Sequence, residues 1–374
     1  MAKVSKLVVI HIIYSFLAAA MAVLIPLYLV DREIDIASIG ITLSVIPLTF
    51  MLLRVVFASM ADSVGTKTMG AIYSIANMLA IILYSLTTSS IGFIAGTMVE
   101  GVRNSGFWAI SRTEVLFHNG KDKAANLLAY FGGVRQIADG FGRLSVGFLI
   151  AFLTFQNSFI LLFVLSFVMF VLIVSLNKWK LGNIAINRKM VKRILSNRPR
   201  SFWFNALGLT SMSITSNMLL AFLIPLYSYS HLGFSYEETG LMVALFSLLT
   251  GIIMMFVLKK HISGRKLMSV TALMVPALIA FPFIGPNIVY LVFLLAIGNG
   301  CSIVLSEYIL ADAVSTSDEI STDIGLIYMP LRIAEFLFMF LGGFVIVSLG
   351  YAPLFLLCAL CVLFFLVFAR HHFK

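Results

Sequence analysis

The five residues Leu24-Ile25-Pro26-Leu27-Tyr28 return unchanged as Leu223-Ile224-Pro225-Leu226-Tyr227, at an offset of 199 in a chain of 374 residues. The echo continues: Gly40 lines up with Gly240 at an offset of 200, and Gly65-Thr66-Lys67 with Gly264-Arg265-Lys266 and Gly101 with Gly300 at 199 again. After a contraction of two residues, Arg135-Gln136-Ile137-Ala138-Asp139 meets Arg332-Ile333-Ala334-Glu335. One short match among apolar letters is chance. Five in order are the signature of a duplicated unit.

The solvent of that unit is lipid. The chain is 61% hydrophobic and only 11% charged, where soluble domains carry about 25% charged residues. A bilayer core needs roughly 20 apolar residues per helix. That ruler gives twelve spans, at residues 7–30, 37–58, 68–88, 91–114, 126–153, 158–177, 203–229, 237–258, 267–284, 287–311, 324–349 and 351–369. The expected fold is therefore an all-α, polytopic membrane protein: twelve transmembrane helices in two pseudo-symmetric six-helix bundles, residues 1–177 and 201–374, joined by a basic linker at 178–200. The first span is too long for the apolar core of a signal peptide and is read as a retained helix.

Cytoplasmic loops retain Lys and Arg. With the N-terminus inside, the inner loops collect nearly all the basic loop residues and the outer loops hold Arg32 alone. Both termini are thus expected in the cytoplasm of a cell membrane, and the net charge of +10 records this topology, with no nucleic-acid partner required. Cys301, Cys358 and Cys361 lie in apolar runs with no histidine at ligand spacing, so neither disulfides nor zinc are expected. Motifs for metalloprotease, serine hydrolase and P-loop chemistry are missing, which points away from an enzyme and from ATP-driven transport. No cofactor is expected, and a monomer suffices.

Between the second and third spans stands Ala58-Ser59-Met60-Ala61-Asp62-Ser63-Val64-Gly65-Thr66-Lys67. It resembles the major facilitator loop signature GxxxD(R/K)xG(R/K)(R/K), matching at Asp62, Gly65 and Lys67 and departing at Ala58, Ser63 and Thr66. The resemblance covers essentially the whole chain. It implies a secondary transporter whose parallel six-helix halves enclose a site near the membrane midplane, with Asp62, Gly65 and Lys67 in a cytoplasmic latch and Arg112 and Glu114 as its partners. In the fifth span, Gly142-Arg143-Leu144-Ser145-Val146-Gly147 compares with the GPxxGG-type run of drug/proton antiporters but has arginine in place of proline. A proton-coupled multidrug efflux antiporter is kept as the alternative.

Charges inside spans are costly, at least about 2.5–3.5 kcal/mol each, and are expected to face the bundle interior. Glu100 and Arg103 lie roughly 14 and 18 Å into the fourth span. Arg135, Asp139 and Arg143 form one stripe on the fifth, and Arg332 and Glu335 pair on the eleventh. With Asn217 and Asn299, these residues are the substrate-binding candidates: Glu100, Arg103, Arg135, Asp139, Arg143, Asn217, Asn299 and Arg332. Structural ion pairing is the competing reading. In the first half, however, Arg103, Arg135 and Arg143 outnumber Glu100 and Asp139, and a fixed guanidinium suits a carboxylate or phosphate. The cargo is therefore expected to be a small organic anion; a cation or neutral solute held by Glu307 or Glu335 is the second choice. Proton coupling, or coupling to another ion, needs a buried carboxylate free of flanking cations, which favours Glu307, then Glu335 and Glu100. His11 is a further proton candidate.

Overall fold

The computed structural model describes residues 2–117, 121–175, 198–260, 262–314 and 320–372, and among them the chain is helical with no strand. The basic linker expected at 178–200 lies almost wholly outside the described residues. Long apolar runs form helices here because lipid offers no partner for a backbone N–H or C=O, so each segment must satisfy its own.

The first half holds α1 (Ala2–Asp31), α2 (Ile36–Leu86), α3 (Ser90–Phe117) and α4 (Lys121–Val174). The second holds α5 (Arg200–His231), α6 (Tyr236–Lys260), α7 (Gly264–Phe283), α8 (Val289–Ala313), α9 (Ile320–Ile327), α10 (Met329–Leu349) and α11 (Ala352–His372). Asp35 caps α2 by accepting the Ser38 N–H at 2.9 Å.

Two of these helical stretches each fold back and cross twice. A straight α2 would separate Phe50 from Asn77 by roughly 40 Å. Yet the Phe50 carbonyl accepts the Ser105 hydroxyl while the Asn77 side chain accepts from Arg103, two residues away on α3. The chain therefore reverses between Phe57 and Tyr73, both of which approach Gly106. In α4 the reversal is at Thr154, whose φ of 67° and ψ of 165° break the helix. Among the described residues, ten helices are long and apolar enough to cross a membrane. One of them, residues 129–174, spans the Thr154 break, and α3 is not among the ten. The result is consistent with the twelve spans read from the sequence.

The halves meet along two glycine-lined seams. A Cβ on Gly40 would stand 2.6 Å from the Met339 carbonyl oxygen and 3.2 Å from the Gly343 Cα, so α2 and α10 touch backbone to backbone. A Cβ on Gly147 would stand 2.7 Å from Tyr236 and Glu237 backbone atoms, and one on Gly240 3.2 Å from Gly147, which joins α4 to α6. At the same end Asp31 accepts the Tyr236 hydroxyl at 3.1 Å, and Tyr236 accepts that of Tyr229 at 2.9 Å.

Candidate functional site

Between the halves lies a cavity of about 240 Å³, bordered by α1, the first arm of α2, α3, the first arm of α4, α5 and α10. Its charged and amide lining comprises Glu100, Arg103, Asn104, Arg135, Gln136, Asp139, Arg143, Asn217, Arg332 and Glu335. An adjoining recess of about 110 Å³ shares Arg135, Asn217 and Arg332 and adds Arg54, Ser216 and Glu307. The high cost of bare charge in lipid explains why these side chains turn inward.

The Glu100–Arg103 pair is tied into a buried network. Arg103 donates to Glu100 at 2.7 Å, to Asn77 at 3.0 Å and to Asn104 at 3.1 Å. Tyr84 donates to the other Glu100 oxygen at 2.9 Å, Tyr14 donates to Asn104 at 2.9 Å, and Asn77 donates to Ser166 at 2.9 Å. The network spans four crossings of the first half, and Arg103 is 2% exposed. This geometry makes the pair part of the cavity floor.

Arg135 and Arg332 are placed differently. Arg135 sits over the Trp108 ring at 4.3 Å and Arg332 over the Phe50 ring at 4.1 Å. Arg332 donates to Glu335 at 2.5 Å, and Asn217 donates to the other oxygen of the same carboxylate. Asp139 lies in the field of both Arg135 and Arg143. Arg143 reaches across the boundary between the halves and donates to the Leu220 carbonyl at 3.0 Å. Leu220 belongs to a π-turn, Leu219–Leu223, and a second π-turn, Tyr227–His231, follows in the same helix.

Of the sequence candidates, Glu100, Arg103, Arg135, Asp139, Arg143, Asn217, Arg332 and Glu335 converge on the cavity. Glu307 borders the recess and, with His11, a smaller pocket of about 50 Å³ between α1, α3, α4 and α8. Asn299 is not brought to the cavity. It is about 80° round α8 from Glu307, fully buried, and its amide donates to Thr250 of α6 at 3.4 Å. Of the latch residues, the Lys67 side chain is buried, while those of Asp62, Arg112 and Glu114, and the surroundings of Gly65, lie outside the described ones. The sequence reading missed Arg54, although an arginine inside an apolar span is the same signal that marked the others. It also missed Asn77, Asn104 and Gln136, neutral amides that nothing in the sequence sets apart.

The sequence model of the Major Facilitator Superfamily matches residues 7–302 and, a second time, residues 207–373. The chain belongs to this family. Its fold is similar to the crystal structure of the human organic anion transporter MFSD10 (TETRAN), with a TM-score of 0.72 and 13% identity, over 98% of this chain and 99% of that one. No curated protein sequence matches it. Membership of the major facilitator superfamily makes the bundle a multi-pass membrane transporter fold and the charged cavity between its halves the place to look for cargo.

Proposed function

We propose that the protein is a secondary transporter that moves a small organic anion by alternating access of its two halves, coupled to protons. The charge around the cavity carries this reading: among the described residues that line it and the recess, five are arginines (Arg54, Arg103, Arg135, Arg143 and Arg332) and four are carboxylates (Glu100, Asp139, Glu307 and Glu335). In a water-poor site an excess guanidinium attracts an anion and repels a cation. The cavity and recess together sit at the small end of the roughly 300–1,000 Å³ typical of drug-sized sites, which suits a compact solute better than a bulky lipophilic drug. That a protein of this fold is an organic anion transporter supports the same reading.

Glu335 and Glu307 are the proposed proton carriers. A proton on Glu335 cancels the negative charge that engages Arg332, so anion binding strengthens as the carboxylate is neutralised. Glu307 stands between the recess and the pocket holding His11, a route by which a proton would reach it. The Lys and Arg distribution supports cytoplasmic termini, and the closed bundle supports a monomer.

The test is a thermal-shift screen of the purified protein against organic acids, phosphates, sugars, amino acids and lipophilic cations, over a range of pH. Organic acids are expected to raise the melting temperature, since a ligand stabilises the state it binds. In proteoliposomes, Glu335→Gln or Glu307→Gln is expected to flatten the pH dependence of uptake. Stabilisation by lipophilic cations and by no anion would refute the proposal.

A further inference from the structure

We infer that the cargo is a compact solute with two anionic groups, one held by Arg135 of the first half and the other by Arg332 of the second. This deepens the anion reading above and rests on it.

Three observations single out these two arginines. They occupy matching positions of the internal repeat, Arg135-Gln136-Ile137-Ala138-Asp139 against Arg332-Ile333-Ala334-Glu335. Each lies over an aromatic ring from a neighbouring helix, Trp108 or Phe50, at 4.3 and 4.1 Å. Such stacking fixes the guanidinium plane, and the edge of a fixed guanidinium is what receives a carboxylate side-on; in Arg332 it meets the Glu335 carboxylate in this way at 2.5 Å. Finally, Arg54, Arg103 and Arg143 are buried, whereas Arg135 and Arg332 keep accessible surface. Both border the cavity and the recess. Arg103 is engaged with Glu100, Asn77 and Asn104, and Arg143 with the Leu220 carbonyl, away from the accessible surface; Arg332 is paired with Glu335, and a proton on that carboxylate releases it to the cavity.

One reachable arginine in each half makes a two-armed cradle, and a solute with one acid group fills only one arm. A dianion fills both and bridges the halves, so its binding energy favours their closure. The charge balance adds a consequence. With every one of the described lining groups ionised, these carry one excess positive charge, so a dianion leaves one excess negative charge. One proton on a lining carboxylate restores neutrality. The groups that set this balance are Arg54 on α2, Glu100 and Arg103 on α3, Arg135, Asp139 and Arg143 on α4, Glu307 on α8, and Arg332 and Glu335 on α10. Dianion and proton therefore bind together.

The test compares succinate with butyrate, which has the same carbon chain and one carboxylate, using the purified full chain. Titration calorimetry in two buffers of different ionisation enthalpy reads both affinity and proton uptake. Succinate is expected to bind at least about tenfold more tightly than butyrate, the worth of one further charge-assisted contact, and to take up about one proton. In Arg135→Gln and in Arg332→Gln that ratio is expected to fall toward one. If either variant fails to fold, the succinate-to-butyrate ratio of the unaltered protein decides alone. Equal affinity for the two acids overturns the two-armed cradle and leaves the anion reading standing. Binding of tetraphenylphosphonium and of neither acid overturns both.

Discussion

Arg143 donates to the backbone carbonyl of Leu220 at 3.0 Å, a charged hydrogen bond that runs from α4 in one half to the π-turn of α5 in the other. It occupies the place where the antiporter run of related proteins has proline. The guanidinium is buried, and the carbonyl it meets belongs to a turn with irregular hydrogen bonding. Pi-turns recur at functional positions because they free or redirect backbone groups. Here the freed direction is occupied by the opposite half.

Arg143→Gln is expected to weaken this tie by about 1.5–3 kcal/mol, the usual worth of a hydrogen bond to a charged group. Denaturant titration of the purified protein would read the loss. Arg143→Lys, which keeps the charge and one donor, is expected to recover part of it; equal stability of the Gln variant and the unaltered protein would show the bond to be idle.

Arg103→Ala should damage the fold before it reports on cargo. It removes the partner of Glu100 in a buried network, leaving an uncompensated carboxylate, at a cost of about 3–5 kcal/mol. Arg135→Ala, at a partly exposed position over Trp108, should cost far less. Thermal unfolding of the two variants side by side separates the floor of the cavity from its working surface. Glu100→Gln combined with Arg103→Ala is expected to regain stability, because the orphaned charge goes with its partner.

Gly40 has no room for a side chain, since all three of its nearest neighbours are backbone atoms of Met339 and Gly343 on the opposite half. Gly40→Ala therefore forces α2 away from α10, at about 1–3 kcal/mol. Gly240→Ala, where the nearest contacts are 3.2–3.3 Å, is expected to be milder. Disulfide trapping between cysteines placed on α2 and α10 should slow in the first variant and stay near the unaltered rate in the second.

Asp35 gives a pH dependence of known sign. Its carboxylate accepts the Ser38 N–H as the cap of α2, which holds its pKa below the ordinary carboxylate value. The stabilisation is present above the unfolded pKa of about 4 and is lost as pH falls through the lower, folded value. Asp35→Ala should cost about 0.5–2 kcal/mol at neutral pH. The difference between this variant and the unaltered protein should shrink on acidification to pH 3, as followed by unfolding at both values.

Most of the architecture was legible because lipid imposes a simple rule, that each crossing be about twenty apolar residues long and satisfy its own backbone. The expected spans at 203–229 and 237–258 fall within Arg200–His231 and Tyr236–Lys260, and that at 351–369 starts one residue ahead of Ala352–His372. The gap between the fifth and sixth expected spans contains Thr154, where the chain turns. That a β-branched residue would hold a positive φ there has no sequence signal. The site was legible in part, for the same reason: charge in lipid must turn inward, so a list of intramembrane charges is nearly a list of cavity residues. Their roles were not. Arg103 and Arg135 are the same residue type on adjacent crossings, and only the neighbours, Asn77, Asn104 and Tyr84 in one case and Trp108 in the other, divide floor from surface. Asn299 shows the limit again, because the face of α8 that carries it packs on α6.

The repeated pentapeptide separates what the chain determined from what the assembly decided. The letters alone set the duplication, the spans and the inward charges, because each follows from composition and spacing against a fixed membrane thickness. They did not set the backbone. Leu24-Ile25-Pro26-Leu27-Tyr28 lies within a regular α-helix, while Leu223-Ile224-Pro225-Leu226-Tyr227 joins two π-turns. The same proline is present in both, so proline is not the cause. What differs is the company. In α5 Asn217, bound to Glu335, stands just ahead of the first π-turn, and Leu220, bound to Arg143, lies within it. Contacts between distant residues fix a hydrogen-bonding pattern that a local sequence leaves open, because the α and π forms of one segment differ by less free energy than a few buried polar bonds supply.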